Sequence, residues 1–200
     1  MIQILLLSGS LRRESLNTRL LQDLALRLEG RCVIDMLEPQ HVNLPLFDQD
    51  LETNPVMINH VAELHGRFLS SHGIVVASPE YNGQPTPYLK NLIDWVSRLA
   101  YIDTNFDNPF CDRPLLMCSA STGQSGGAIA MPHARALFGY VGCLVQGDTI
   151  SVPYADQIWT EAGYLFDSYF DAAIDTTLHR FLRLAQTLRG NNGANLSEIS

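Results

Sequence analysis

The stretch "IQILLLSGSLRRESLNTRLLQDLALRLEGRCVIDML", residues 2–37, decides how this chain folds. Ile2 to Leu7 is an apolar run with almost no alternation, the pattern of a strand covered on both faces. Leu16, Leu20, Leu24 and Leu28 then recur every four residues and mark one face of a helix that is read to stop at Gly30. Cys32 to Leu37 reads as a second strand. Strand, loop, helix, strand is the unit from which parallel sheets are built.

The pattern repeats outward from there. A proline-punctuated connection, "EPQHVNLPLFDQDLETNP" (residues 38–55), leads to a helix predicted over Val56 to Leu69. Gly73 to Ser78 is the third strand, and Leu89, Leu92, Ile93, Val96 and Leu99 line one side of the helix that follows. Pro114 to Ser119 is the fourth strand, Ile129 to Tyr140 a helix, and Val141 to Val145 the fifth strand. The last helix is predicted from about Glu161 to Arg189, with Phe166, Phe170, Ile174, Leu178 and Phe181 at helical spacing. Its Asp167, Asp171 and Asp175 precede Arg180, Arg183 and Arg189, an order that suits the helix dipole. Gly190 is read as its end and "NNGANLSEIS" (residues 191–200) as a flexible tail.

Five apolar strands alternating with five helices predict an α/β domain over residues 1–190, with a parallel sheet of order 2-1-3-4-5 covered by helices on both faces. A chain of 200 residues, 46% of them apolar, can bury one substantial core. A formal charge of −8 disfavours nucleic acid or an anionic membrane as the main partner. The longest wholly apolar run, Ile4 to Leu7, is too short to span a bilayer, and no leader of the basic-then-apolar kind is read before it. Cys32, Cys111, Cys118 and Cys143 form no CxxC pair and read as free thiols of a cytoplasmic protein.

In such a sheet, ligands bind beyond the carboxyl ends of the strands where the winding reverses, here between the first and third. Three loops converge on that edge. "SGSLRRESLN" (residues 8–17) offers free amides, hydroxyls, two arginines and a helix N-terminus, a set suited to a phosphate. It has neither the GxxxxGK[ST] nor the GxGxxG spacing, and read alone it is equally a serine-capped helix start with solvated arginines. "SPEYNGQPTP" (residues 78–87) leaves the sheet through Pro79 and Gly83 with backbone groups open to a heterocycle edge, or is simply a proline-rich turn with Tyr81 as a surface aromatic. "SASTGQSGG" (residues 119–127) has no titratable side chain; it reads as a surface that lies flat on a ligand or as a plain connection.

The motifs "SGSLRRESLN", "NLPLFDQDLE", "PEYNG" and "LKNLIDWVSR" together resemble the NADPH-dependent FMN reductase family, which is flavodoxin-like and includes quinone, azo-dye and chromate reductases. The resemblance runs from about Ile2 to Leu144. It implies that Ser10, Arg12, Ser15, Leu16 and Asn17 bind the FMN phosphate and ribityl region, with Arg12 as the anchor. It implies that Pro79, Glu80, Tyr81, Asn82 and Gly83 line the isoalloxazine ring, with Ser119 and its neighbours on another side. The family's "PGxLKN" is here "TPYLKN", so Thr86 and Pro87 alter the turn beside the substrate entrance. A homodimer or homotetramer is implied as well.

Other chemistry finds little support. His60 and His65 are off the spacing of a helical zinc pair, no HExxH accompanies them, and no Ser-His-Asp set or GxSxG elbow is present. Cys111 lies beside Asp112, which does not favour a thiolate. Trp95 and Trp159 read as packing residues, Lys90 as a surface ion pair or subunit contact, and Asp94 with Arg98 as a solvated pair four residues apart. The expected activity is hydride transfer from NADPH or NADH through FMN to a small-molecule electron acceptor. The alternatives are an FMN electron carrier without turnover, and a chain whose loop binds some other phosphate or a subunit.

Overall fold

In the computed structural model, which describes residues 1–159 and 168–191, strands and helices alternate as β1 (Gln3–Ser8), α1 (Leu16–Leu28), β2 (Val33–Leu37), α2 (Pro55–Ser70), β3 (Gly73–Ala77), α3 (Pro87–Ile102), β4 (Pro114–Ala120), α4 (Met131–Tyr140), β5 (Leu144–Val152) and α5 (Ser168–Asn191). Every strand pair is parallel and the order is β2-β1-β3-β4-β5, as the alternation predicts. Residues that alternate along each strand feed two separate cores. Ile4, Leu6, Val75, Leu116 and Cys118 pack with Leu20, Leu24 and Leu28 of α1 and Ile174, Leu178 and Phe181 of α5. Leu5, Leu7, Ile74, Val76 and Met117 pack with Phe68 of α2, Leu92 and Val96 of α3 and Phe138 of α4. Each large side chain so buried contributes on the order of 1.5–3 kcal/mol, which fixes the strand ends where the three loops emerge.

The fifth strand departs from the sequence reading. Val141, Gly142 and Cys143 complete the end of α4, where their amides donate to Leu137, Gly139 and Phe138 carbonyls. The strand therefore starts at Leu144 and runs on to Val152 through the polar Gln146, Asp148 and Thr149. It is an edge strand with a register irregularity: Leu115 pairs with Val145 but Met117 with Thr149, so β5 bulges between them. Half-exposed, bulged edges tolerate polar residues, which is why no apolar run marks it.

Ion pairing differs too. Asp94 is bonded by Lys90, and Arg98 instead pairs with Glu52, Nε to Oε1 2.5 Å. Asp171 and Asp175 of α5 both bind Arg27 of α1, which also holds the buried Asp23 at 2.6 Å, so these acids tie two helices together. α5 runs through Gly190 to Asn191, so the glycine does not end it. Phe166, Asp167 and the tail beyond Asn191 lie outside the described residues.

A titratable contact ties the bend between α2 and β3 to the start of β1. The amide of Gln3 donates to Nδ1 of His72 at 3.1 Å, so that nitrogen must keep its lone pair. Burial lowers the His72 pKa below its usual value, and Arg189 and Arg113 repel the imidazolium further. The folded state therefore binds fewer protons than the unfolded chain. The stabilisation is full above the ordinary histidine value of about 6.5 and is lost as pH falls through the depressed folded value. Thermal melts should show the wild type losing more stability between neutral and mildly acidic pH than His72→Gln, and parallel curves would remove this residue from the pH response.

Candidate functional site

At the carboxyl edge of the sheet the three loops enclose a cleft of about 220 Å³ lined by Ser10, Arg12, Ser15, Leu16, Asn17, Pro79, Tyr81, Ala120, Ser121 and Thr122. A wider recess beside it brings in Arg13, Arg19 and Gln22. Seven of the residues singled out in the sequence thus share one cleft. Glu80, Asn82 and Gly83 stand in the adjoining turn. Ser119 does not reach the surface: it is 0% exposed and its hydroxyl has no partner among the described residues. A Cβ on Gly127 would overlap that hydroxyl, so the glycine lets the third loop close over it.

The first loop holds itself open. Ser15 caps α1, its Oγ accepting from the amides of Asn17 and Thr18 at 3.2 and 3.3 Å. The Oγ of Ser10 accepts from the Arg12 amide at 3.3 Å. Among the described residues, the amides of Leu11, Arg13 and Leu16 have no protein acceptor, and the exposed Arg12 guanidinium has neither a hydrogen bond nor an ion pair. Gly9 is pressed so close to β3 that a Cβ would stand 2.6 Å from Ser78 Oγ. The result is a polar pocket with cationic and N–H donors in which, among the described residues, no carboxylate comes within ion-pair distance of Arg12, although Glu14 and Asp156 line the wider recess with it.

The second loop is a tight turn. Tyr81 and Gln84 exchange backbone bonds of 2.9 and 3.1 Å, and Asn82 and Gly83 between them have φ of 53° and 74°. Asn-Gly is the pair that adopts two successive left-handed residues most readily. The turn leaves the amides of Asn82 and Gly83 without a protein acceptor among the described residues and holds Tyr81 half-exposed at the cleft.

Three side chains lock the loops to one another, and the sequence signalled only part of this. Thr86 is buried, caps α3 by accepting from Leu89 N at 3.2 Å, and donates its hydroxyl to the Gly9 carbonyl at 2.6 Å. The unusual Thr-Pro pair is thus an N-cap followed by proline at the first helical position, a favourable start. Asn17 is 97% buried by its 3% exposure, and its amide makes a reciprocal pair with Ala120: Nδ2 to the carbonyl at 2.9 Å and Oδ1 from the N–H at 3.0 Å. Glu80 Oε2 accepts from the amides of Ile129 and Ala130 at 3.1 and 3.3 Å. Thr86→Val, which keeps the shape but removes cap and donor together, should cost about 1–2 kcal/mol in denaturant unfolding. An unchanged midpoint would show that water replaces both bonds.

Side chains that could supply other chemistry are occupied elsewhere. His60 and His65 bond the Val42 and Asp107 carbonyls at 2.6 and 2.8 Å. No group of three metal-ligating side chains occurs among the described residues. Burial pushes the Cys143 thiol up to about 12 and raises Cys118 and Cys32, while burial and then Asp112 raise the exposed Cys111. All four cysteines are therefore thiols at neutral pH. Trp95 is buried, with its indole N–H on the Pro45 carbonyl at 2.9 Å. Asn91 holds the same carbonyl and the Phe47 amide, so α3 fixes the connection around residues 43–52. Among the described residues, no helix is long and apolar enough to cross a membrane.

Comparison with known proteins agrees with this geometry. The family model described as NADPH-dependent FMN reductase matches residues 2–157. A quinone reductase of Escherichia coli (strain K12) is 31% identical over 144 residues, covering 72% of this chain and 73% of that protein. An NAD(P)H-dependent FMN reductase of Pseudomonas aeruginosa is 30% identical over 136 residues, 67% and 68% of the two chains. Among solved structures, the flavoenzyme NAD(P)H:(acceptor) oxidoreductase of Paracoccus denitrificans shares the fold, with a TM-score of 0.82 over 94% of this chain and 98% of its own at 23% identity. The family match opens before β1 and closes past the end of β5, so it takes in every residue that builds the cleft, and the chain belongs to the NADPH-dependent FMN reductase family of oxidoreductases.

Proposed function

We propose that this protein binds FMN in the three-loop cleft and passes a hydride from NADPH or NADH through it to a small acceptor such as a quinone, a free flavin, an azo compound or a metal oxyanion. The observation that carries the reading is the cleft itself: among the described residues, an open ring of amides, hydroxyls and an unpaired arginine at one end, and a turn with free amides and a flat aromatic at the other. The donor set suits a dianionic phosphate, because charged and N–H donors converge in a cleft whose described lining holds no carboxylate. Gly9, where a side chain would clash with Ser78, lets the first loop pack directly against the start of the second.

In this reading Ser10, Arg12, Ser15 and Leu16 hold the phosphate and ribityl chain, while Pro79, Tyr81, Asn82 and Gly83 border the ring. Asn17 orients the first loop through Ala120. Bound FMN supplies the hydride chemistry, and the protein contributes orientation and positive potential at its loops. Tyr81 presents a half-exposed aromatic surface on which a planar acceptor or a nicotinamide can stack. Assembly as a homodimer or homotetramer and residence in the cytoplasm belong to the same proposal.

Anaerobic stopped-flow absorbance tests it. The FMN-loaded protein should be bleached by NADPH or NADH within the turnover time and recover its colour when a simple quinone is added. An FMN complex that neither nucleotide bleaches is an electron carrier, and a protein that takes up no flavin overturns the reading altogether.

A further inference from the structure

The helical segment after the third loop starts without a cap of its own. Gly127 precedes the short turn Ala128–Ala130 and Ala130 precedes α4, and neither offers a side-chain acceptor. First-turn amides left bare in this way weaken a helix start. Here the missing acceptor comes from the second loop: one oxygen of Glu80 takes both the Ile129 and Ala130 amides. The two segments also run close together. The Ile129 Cγ2 lies 3.8 Å from where a Gly83 Cβ would stand, and Glu80 Cβ lies 4.0 Å from the equivalent point on Gly127. The walls of the cleft that face each other, Pro79 and Tyr81 on one side and Ala120 to Thr122 on the other, are therefore joined at one carboxylate.

We propose that Glu80 is a positioning residue: its side chain latches the third loop to the second and so sets the width of the cleft before any cofactor arrives. The proposal rests on the FMN reading for its consequence in binding, though the latch itself is a property of the chain alone. Reach and charge make separable demands. A glutamine at this position keeps an acceptor oxygen at the same reach but no charge; an aspartate keeps the charge but falls one methylene short of the two amides.

Amide hydrogen exchange on the flavin-free protein reads the latch directly, and titration with FMN and with riboflavin reads its effect. Glu80→Gln should keep wild-type protection at Ile129 and Ala130 and bind both flavins within about threefold of wild type. Glu80→Asp should lose protection there by about tenfold or more, the scale of a lost charged hydrogen bond, and weaken FMN and riboflavin by the same factor, because the damage lies away from the phosphate. The reverse order, with aspartate intact and glutamine impaired, would overturn the proposal in favour of a direct role for the charge. Unchanged protection in both variants would overturn it as well. Should wild-type protein bind neither flavin, the function proposed above fails while the exchange result still decides the latch.

Discussion

Asn17→Ala is expected to destabilise the protein by about 2–4 kcal/mol, more than any other single change at the cleft. The amide of Asn17 satisfies both backbone groups of Ala120, and all four atoms are out of solvent. Removing it strands a buried donor and a buried acceptor, each costing about 1–3 kcal/mol when left unpaired, less whatever water recovers. Asn17→Asp sharpens the test, because a carboxylate can accept from the Ala120 amide but faces its carbonyl as an anion. It should be at least as damaging near neutral pH and improve as the pH is lowered into the carboxylate range. Chemical denaturation of the flavin-free protein measures both variants. A loss below about 1 kcal/mol for the alanine variant would mean that the first loop and β4 do not depend on this pair.

This contact also marks where sequence reasoning stops. The loop containing Asn17 and the loop containing Ala120 were each recognisable as ligand-facing, since apolar runs and periodic leucines fix the topology and the topology fixes which loop ends meet. The bond between them spans 103 residues and leaves no local trace in composition or spacing. Glu80 is similar. Within "PEYNG" it reads as one more residue of a cofactor rim, and only the positions of Ile129 and Ala130 reveal its carboxylate as a cap. Thr86 reads in the sequence only as altering the turn beside the substrate entrance, and its role as a buried N-cap before Pro87 appears only once the Gly9 carbonyl and the Leu89 amide are in place around it. For Ser119 the sequence leaves burial open: a serine at a strand end beside a glycine-rich loop can face solvent or not, and here Gly127 approaches so closely that the hydroxyl is sealed. The fifth strand is expected, but its bounds escape: edge strands carry polar residues and bulges, so the apolar run that delimits β1 and β3 does not mark the extent of β5.

Arg12→Ala should weaken FMN binding by about ten- to a hundredfold while leaving riboflavin affinity nearly unchanged. The chain carries a net charge of −8, so an anionic cofactor is repelled at long range and must be held by local donors. Arg12 lines both the cleft and the recess beside it, is exposed, and among the described residues has no acidic partner to release before it can bind. A charge-assisted hydrogen bond to a phosphate is worth about 1.5–3 kcal/mol, which converts to roughly the stated factor. Riboflavin lacks the phosphate and gains nothing from the guanidinium, so it serves as the internal control for loop damage. Arg13→Ala supplies a second control: its side chain faces the wider recess and is absent from the cleft lining, so FMN should weaken by no more than a few-fold, through the general loss of one nearby charge. Fluorescence titration of the flavin-free variants at fixed ionic strength gives all four affinities. Equal losses for FMN and riboflavin in the Arg12 variant would remove that residue from the phosphate site, and a larger effect at Arg13 than at Arg12 would shift the phosphate from the cleft into the recess.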